Sequence, residues 1–328
     1  MGIEAKLIDL SAAADYLGTG AIETPMFETE IMDVVRRSSL MLQRIRSKPA
    51  TGHPHRYFEQ LAIGTAAAAD PRNLAATPSG PQRVERPAFI KAVTAQTNVS
   101  LFDKEVTEQQ GQFAAITAQD IEDTVSAIEI KRAQMLWTGT DTSLTSPTTL
   151  EWVGALTQIT NQATISSSTP IIDGLKTQIA AMKANVNFVV RPTAIVGNPV
   201  LLDMIDQEAK AAHIDLKTMN VTAGVTVKYI STQAGDLPLI PDEFMPTDTT
   251  AKYGFSIAGG FKNYYAAILS EAELEVAVIS GRAFNPNPRL FQLGLLGNLA
   301  GQHVGVKFDT LICKGASYAH TLVAVQRA

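Results

Sequence analysis

The chain has 328 residues, enough for one large or two medium compact units. Hydrophobic residues make up 45% and charged residues only 18%, a low charge fraction that suits a protein with much of its surface in interfaces. The 27 basic and 32 acidic residues leave a net charge of −5, which excludes nucleic-acid binding driven by bulk charge.

Taken in chain order, Glu4 to Leu17 reads as a short helix and Gly18 to Met26 as an extended stretch. Phe27 to Leu42 is expected to be helical, with Ile31, Val34, Val35 and Leu42 on one side. Between Val34 and Phe58 lie Arg36, Arg37, Arg44, Arg46, Lys48 and Arg56 with no acid among them, so this segment is +6 and the rest −11. Such a basic arm can hold an acidic neighbour, another copy of the chain included, or touch a polyanion backbone.

Arg56 to Ile63 and Pro87 to Leu101 read as two strands, the second carrying Phe89, Val93, Val99 and Leu101. The Ala/Gly/Pro-rich stretch from Gly64 to Pro81 is loop chemistry. A two-stranded hairpin cannot bury a face alone. From Ala21 to Lys104 there is no sustained amphipathic helix longer than about two or three turns, and a segment that long with so little apolar surface is expected to find its core on another molecule.

Ala118 to about Thr138 is the longest expected helix, with a capping-box type start at Thr117 to Asp120 and Gly139 past its end. Ile121, Val125, Ile128 and Met135 form one stripe, and Ala127, Ile130, Gln134 and Trp137 another, which marks a central strut. After a Thr/Ser/Pro loop from Thr138 to Thr149, Thr169 is expected to cap a helix that Pro170 opens, with Ile172, Leu175, Ile179 and Met182 inward. Phe188 to Val190 and Ala194 to Val196 read as a strand broken by Pro192, and Asn198-Pro199 starts a further helix. Strands follow at Val225–Ile230, Gly254–Ala258, Tyr264–Leu269, Leu274–Ile279, His303–Phe308 and Thr321–Val325. The mixture is α+β, with no internal repeat.

The chemistry that would mark an enzyme is missing. Cys313 is the only cysteine, so an intramolecular disulfide and a Cys-based zinc site are excluded, and neither a secretory signal nor a membrane span is seen. A reducing cytosol is the expected compartment of synthesis. His53-Pro54-His55 has metal-ligand spacing, but its loop setting favours solvated histidines. The carboxylate pairs Glu122/Asp123 and Asp242/Glu243 read as solvated, and Gly259-Gly260-Phe261 as a turn at a strand end. No phosphate-binding loop, nucleophile elbow or catalytic constellation is found, and no cofactor is implied.

The order of elements resembles the major capsid protein of tailed bacteriophages, the Hong Kong 97 fold. Phe89 to Phe102 looks like the return strand of that family's E-loop, and Ala118 to Gly139 like its spine helix. Ile171 to Pro199, with its Phe188-Val-Val-Arg-Pro-Thr-Ala-Ile-Val-Gly-Asn-Pro run, looks like its A-domain core. The resemblance implies an N-terminal arm (1–52), an E-loop hairpin (53–100) and a P-domain (101–165, spine helix 118–138, continued at 265–312). The A-domain would be 166–264, continued at 313–328.

It further implies a non-enzymatic subunit that assembles into pentamers and hexamers of an icosahedral head around double-stranded DNA, which it holds without sequence specificity. Arg36, Arg37, Arg44, Arg46, Lys48, Arg56, Phe58 and Phe89 are the expected inter-subunit contacts. The arm starts almost at once, so a separate scaffolding protein is expected in place of a cleaved pro-region, together with a portal and room for a decoration protein. The expected location is the virion, assembled in the host bacterial cytoplasm without a membrane. Lys91 lies on the hairpin, yet no acceptor identifies a crosslink. The competing expectations are an encapsulin-like shell, a phage tail or decoration protein, and a cytosolic enzyme with a long lid loop.

Overall fold

The computed structural model describes residues 39–68, 71–72, 79–110, 116–141, 149–185, 187–222, 225–281, 283–296 and 300–328. The helix expected at Glu4–Leu17, most of that at Phe27–Leu42, and Arg36 and Arg37 lie outside them. The described chain opens with Ser39, which caps the short helix α1 (Leu40–Arg44). Its hydroxyl accepts from the Leu42 N–H at 3.2 Å and donates to the buried Asp242 carboxylate at 2.5 Å. That pair ties the arm to the body. Met41 behind it is fully buried.

Strand β1 (Arg46–Pro49) and the hairpin strands β2 (His55–Ala62) and β3 (Gln82–Ala88) come next, followed by β4 (Lys91–Ser100). The single return strand expected from Pro87 to Leu101 is two strands. β3 pairs with β2, whereas β4 pairs along β14 (Ala300–Cys313), so the chain changes partner at Phe89–Ile90 just after Pro87, which has no N–H to give a ladder. A helix the sequence reading lacks, α2 (Leu101–Gln110), follows directly.

β14 is the long strand of a five-stranded sheet. It pairs antiparallel with β4, with β13 (Arg289–Leu296) and with β12 (Leu274–Ile279), and β1 adds in parallel at the far edge of β12. Across this sheet lies the long helix α3, Ile116–Thr138, which begins ahead of Thr117. Its expected first stripe holds in Ile128 and Met135, both buried, but of the second Gln134 is exposed. Arg132, Ala133, Leu136 and Trp137 are buried as well, so the last turns are enclosed on most sides. Arg132 is tolerated there because its Nε meets the Asp309 carboxylate at 2.6 Å.

The second sheet has eight strands. Its order is β5 (Gln162–Ile165), β15 (Thr321–Arg327), β11 (Lys262–Leu269), β6 (Ala194–Gly197), β9 (Gly235–Pro241), β8 (Val225–Thr232) and β7 (Thr218–Thr222), with β10 (Thr247–Asp248) paired to β11. Both faces of its centre are covered. Tyr264, Ala266 and Ile268 of β11 point to helices α5 (Ile171–Lys183) and α6 (Pro199–Ala211), while Tyr265, Ala267 and Leu269 join the core shared with α3. A strand buried on both faces reads as an unbroken apolar run, as β11 does.

Several expectations shift here. Gly254–Ala258 is no strand: Gly254 has φ +84° and the segment turns through a lone Lys252–Phe255 bridge. Phe188–Val190 is not a strand either, and pairing starts only at Ala194, past Pro192. Asn198 caps α6 as expected, accepting from the Val200 N–H at 2.9 Å. Thr169 does not cap α5. Pro170 sits at that position, and the free Ile171 and Ile172 N–H groups donate to Glu208 of α6 at 2.9 and 3.3 Å. The cap comes from tertiary structure, which no local pattern encodes. β11 crosses the expected division at 264/265, and the change of sheet falls at Ser270.

The two sheets share one core where α3 ends. Gly139 closes the helix, its N–H donating to the Met135 carbonyl at 3.2 Å, and the chain returns through Trp152 to helix α4 (Ala155–Gln158). A Cβ on Gly139 would stand 2.1 Å from the Trp152 carbonyl oxygen, and one on Gly154 would stand 2.4 Å from that of Trp137. The two backbones cross with no room for a side chain. Trp137 and Trp152, the chain's only tryptophans, are buried beside the crossing. Gly139→Ala or Gly154→Ala is therefore expected to lower stability by about 2 kcal/mol or more and to shift tryptophan emission to the red. Gly259→Ala, where a Cβ meets nothing within 4 Å, should leave both unchanged in a urea titration.

Candidate functional site

The β2–β3 hairpin stands apart from both sheets. Its register runs from His55 opposite Ala88 to Ala62 opposite Gln82, with one irregularity after Gln60, and Thr65 bridges Ser79 beyond. At its root, Tyr57 and Ala88 pack on Ala277 and Ile312 of the five-stranded sheet. Farther out the apolar side chains find no cover: Phe58 is 72% exposed and Ile63 46%, with Val84 on the opposing strand also exposed. Alternation along β2 separates a body-facing row (His55, Tyr57, Glu59) from an outward row (Arg56, Phe58).

Glu59 is 4% exposed and both its oxygens are engaged. Oε1 accepts from the Gly315 N–H at 2.6 Å and Oε2 from Arg86 Nε of β3 at 2.5 Å. Gly315 belongs to the turn 314–319 between β14 and β15, where its φ of +66° suits a residue without a Cβ. The same turn donates Tyr318 Oη to the Gln60 carbonyl at 3.2 Å and stacks the Tyr318 ring on Phe188, centroids 4.2 Å apart. Its Ala316 carbonyl accepts from Thr160 at 3.1 Å, and its Lys314 reaches Glu275 at 2.9 Å. One turn thus touches the hairpin and both sheets.

The expected contact residues divide by what they touch. Arg44 makes a two-pronged pair with Glu271 (2.5 and 2.8 Å) and donates to the Val221 carbonyl at 3.1 Å. Lys48 pairs with Glu275, and Arg56 with Glu85 across the hairpin at 2.9 Å. Phe89 packs edge-on against His53. These four are engaged within the chain, whereas Arg46 and Phe58 face outward. Lys91 pairs with Asp141 at 3.3 Å and donates to the Thr149 carbonyl.

Of the expected solvated loop pair, His53 is exposed in the loop, but His55 is buried at the start of β2, accepting at Nδ1 from the Thr51 N–H at 3.2 Å. Burial, and then the nearby Lys48 cation, hold its pKa below the usual value. His320 is fully buried behind the turn: Nδ1 accepts from the Ser270 N–H at 3.3 Å and Nε2 lies 3.1 Å from the Lys314 carbonyl. Burial pushes its pKa down to about 4.

Of the expected carboxylate pairs, Glu122 and Asp123 are exposed, but Asp242 is buried beneath Ser39, and burial raises its pKa. Gly259-Gly260 forms the turn leading into β11. A groove of about 630 Å³ beneath α1 and β1 is faced by Glu129, Arg132 and Lys307, and these join Asp309 in a charge-balanced cluster. Among the described residues no group of His, Cys, Asp and Glu is arranged to hold a metal, and no helix is long and apolar enough to cross a membrane.

No protein-family model matches the sequence, and neither does any curated protein. Solved structures match throughout. The chain is similar to the subunit of the cyanophage A-1(L) capsid, with a TM-score of 0.68, 9% identity, and 94% of this chain and 98% of that one covered. The capsid of the empty GTA particle gives 0.62 at 13% identity, covering 94% and 96%. The SrpI encapsulin complex from Synechococcus elongatus PCC 7942 gives 0.61 at 11%, covering 95% and 94%. The chain has the Hong Kong 97-type capsid fold.

Two expected outcomes follow from the charges placed here. Arg44→Glu sets like charges against Glu271 and should lower the urea stability of the dispersed subunit by about 2 kcal/mol, whereas the outward Arg46→Glu should change it by less than about 0.5 kcal/mol. His320 binds its proton more weakly folded (about 4) than unfolded (near 6.5), so its contribution is complete above pH 6.5 and is lost as pH falls toward 4. The loss amounts to about 3 kcal/mol, and His320→Gln should flatten that part of the stability–pH curve.

Proposed function

We propose that this protein is the major capsid protein of a tailed bacteriophage, a non-enzymatic subunit that closes into pentamers and hexamers of an icosahedral head around double-stranded DNA. The observation that carries the reading is the hairpin: a two-stranded ribbon with Phe58, Ile63 and Val84 uncovered, on a body that carries the capsid fold. A ribbon of two strands gains too little burial alone, and a neighbouring copy supplies the missing surface. In this reading the E-loop expected over 53–100 is the β2–β3 hairpin, the five-stranded sheet, β4 included, with α3 is the P-domain, and the eight-stranded sheet with α5 and α6 is the A-domain. Head-to-tail contacts close the rings, and many modest contacts act together in the shell.

Arg46 and Phe58 are the described residues assigned to contact a neighbour. Arg36 and Arg37, outside the described residues, keep the role expected from the sequence. Assembly in the bacterial cytoplasm would use a separate scaffolding protein and a portal. DNA would be held by confinement, as the net charge of −5 suits. A second reading, an encapsulin-like shell, is favoured by the match to the SrpI encapsulin complex, whose TM-score of 0.61 is close to the 0.62 of the empty GTA capsid.

Negative-stain microscopy of the protein expressed with its neighbouring open reading frames tests the proposal. Closed shells are expected from the parent. Phe58→Asp, or deletion of 66–78, should leave a folded subunit and abolish or weaken the shells. Normal shells from both variants would sink the role given to the hairpin, and dispersed monomer from the parent under all conditions would sink the assembly reading. Nucleic acid against a single abundant cargo protein inside purified shells separates the head from the encapsulin-like reading.

A further inference from the structure

We propose that Glu59 is the positioning residue that fixes the direction in which the β2–β3 hairpin leaves the body, and that the hairpin pivots on its root once that carboxylate is removed. The apolar root is small: Tyr57 and Ala88 on Ala277 and Ile312. Such a contact resists separation but holds an angle poorly, because burial is non-directional. Direction comes from hydrogen bonds, whose strength falls steeply with misalignment.

Glu59 supplies them from one buried position. It joins β3 through Arg86, and the turn 314–319 through the Gly315 N–H. In the register Tyr57 lies opposite Arg86 and Glu59 opposite Val84, so the Glu59–Arg86 pair is a diagonal across one face. Tyr318 adds a second tie on the next residue, to the Gln60 carbonyl. The Arg56–Glu85 pair, by contrast, closes within the ribbon and cannot orient it.

The turn is itself closely packed. Its Gly315 would bring a Cβ within 2.8 Å of the Ala319 Cβ, His320 holds the Lys314 carbonyl, and Phe188 covers Tyr318. Removing the Glu59 carboxylate leaves the Gly315 N–H without its buried acceptor and the partly exposed Arg86 cation without its partner. Tilting of the ribbon then carries Arg86 further into water and opens the Gly315 N–H to it. For a shell subunit, this direction decides which surface of a neighbour the hairpin reaches. That consequence rests on the reading above, but the test does not.

The test uses the dispersed full-length subunit, so a failure of the assembly reading leaves it intact. Spin labels at Thr65→Cys on the outer hairpin and Ala181→Cys on α5 report the angle as a distance distribution, with the buried Cys313 protected from labelling. One narrow population is expected for the parent pair. Glu59→Ala should at least double its width or add a second population, with circular dichroism and tryptophan emission unchanged. Arg56→Ala should keep the parent distribution. A parent-like distribution in Glu59→Ala, or equal broadening in Arg56→Ala, would overturn the proposal. If Glu59→Ala fails to fold, Glu59→Met, of similar length and without an acceptor for the Gly315 N–H, replaces it: broadening supports the proposal, and a parent-like distribution overturns it.

Discussion

The backbone crossing beside the two tryptophans is the constraint on which the body depends. Helix α3 has to end where the chain returns from Trp152, and the contact of Gly139 with Gly154 leaves no room for a Cβ on either strand of the crossing. Trp152 Nε1 donates to the Met135 carbonyl at 3.0 Å, so the indole also satisfies a carbonyl at the helix end. From that point Trp137, Leu136 and Met135 reach the core formed by β12 and β14 on one side and β6, β11 and β15 on the other. A domain with two sheets and one shared core needs one element that belongs to both. Here that element is the last turns of α3.

The hairpin obeys a different logic. The body is held by area, with side chains packed on both faces of β11 and β15, whereas the hairpin is held by a small apolar root and by hydrogen bonds to a single turn. Rigid cores have one packed arrangement, while an element tied through few directional contacts can change direction without unfolding the rest. The turn 314–319 is where the two regimes meet. It connects β14 with β15, seals His320 behind it, and presents Gly315 and Tyr318 to the ribbon.

What the sequence disclosed follows from this division. Features encoded by local periodicity were legible: α3, the Asn198 start of α6, and the runs that became β11, β12 and β15. Pro238 and Pro241 hid β9, and the break at Phe89–Ile90 was invisible because it is a change of partner, not of local propensity. The α5 cap from Glu208, thirty-six residues or more away, could not be read from Thr169-Pro170. Glu59 was likewise missed. Alternation along β2 was its one signal, since a glutamate falls on the face that holds His55 and Tyr57.

The basic arm shows most clearly how composition and structure part. Six cations in a segment without an acid read as a surface waiting for an acidic neighbour. Of the four that are described, Arg44, Lys48 and Arg56 meet Glu271, Glu275 and Glu85 of the same chain, and Arg46 faces outward. Sequence distance concealed the pairing, because Glu271 and Glu275 lie on the far side of the fold's order and arrive beside the arm only when β1 joins β12 in parallel. The charges therefore fasten the arm to its own sheet. Outward, the described part of the arm and hairpin shows Phe58, Ile63 and Val84 beside exposed charges such as Arg46, Arg83 and Glu85. The apolar part of such a surface acts only at short range and is weakly screened by salt, whereas its charges act farther out and are screened within about 10 Å at moderate ionic strength.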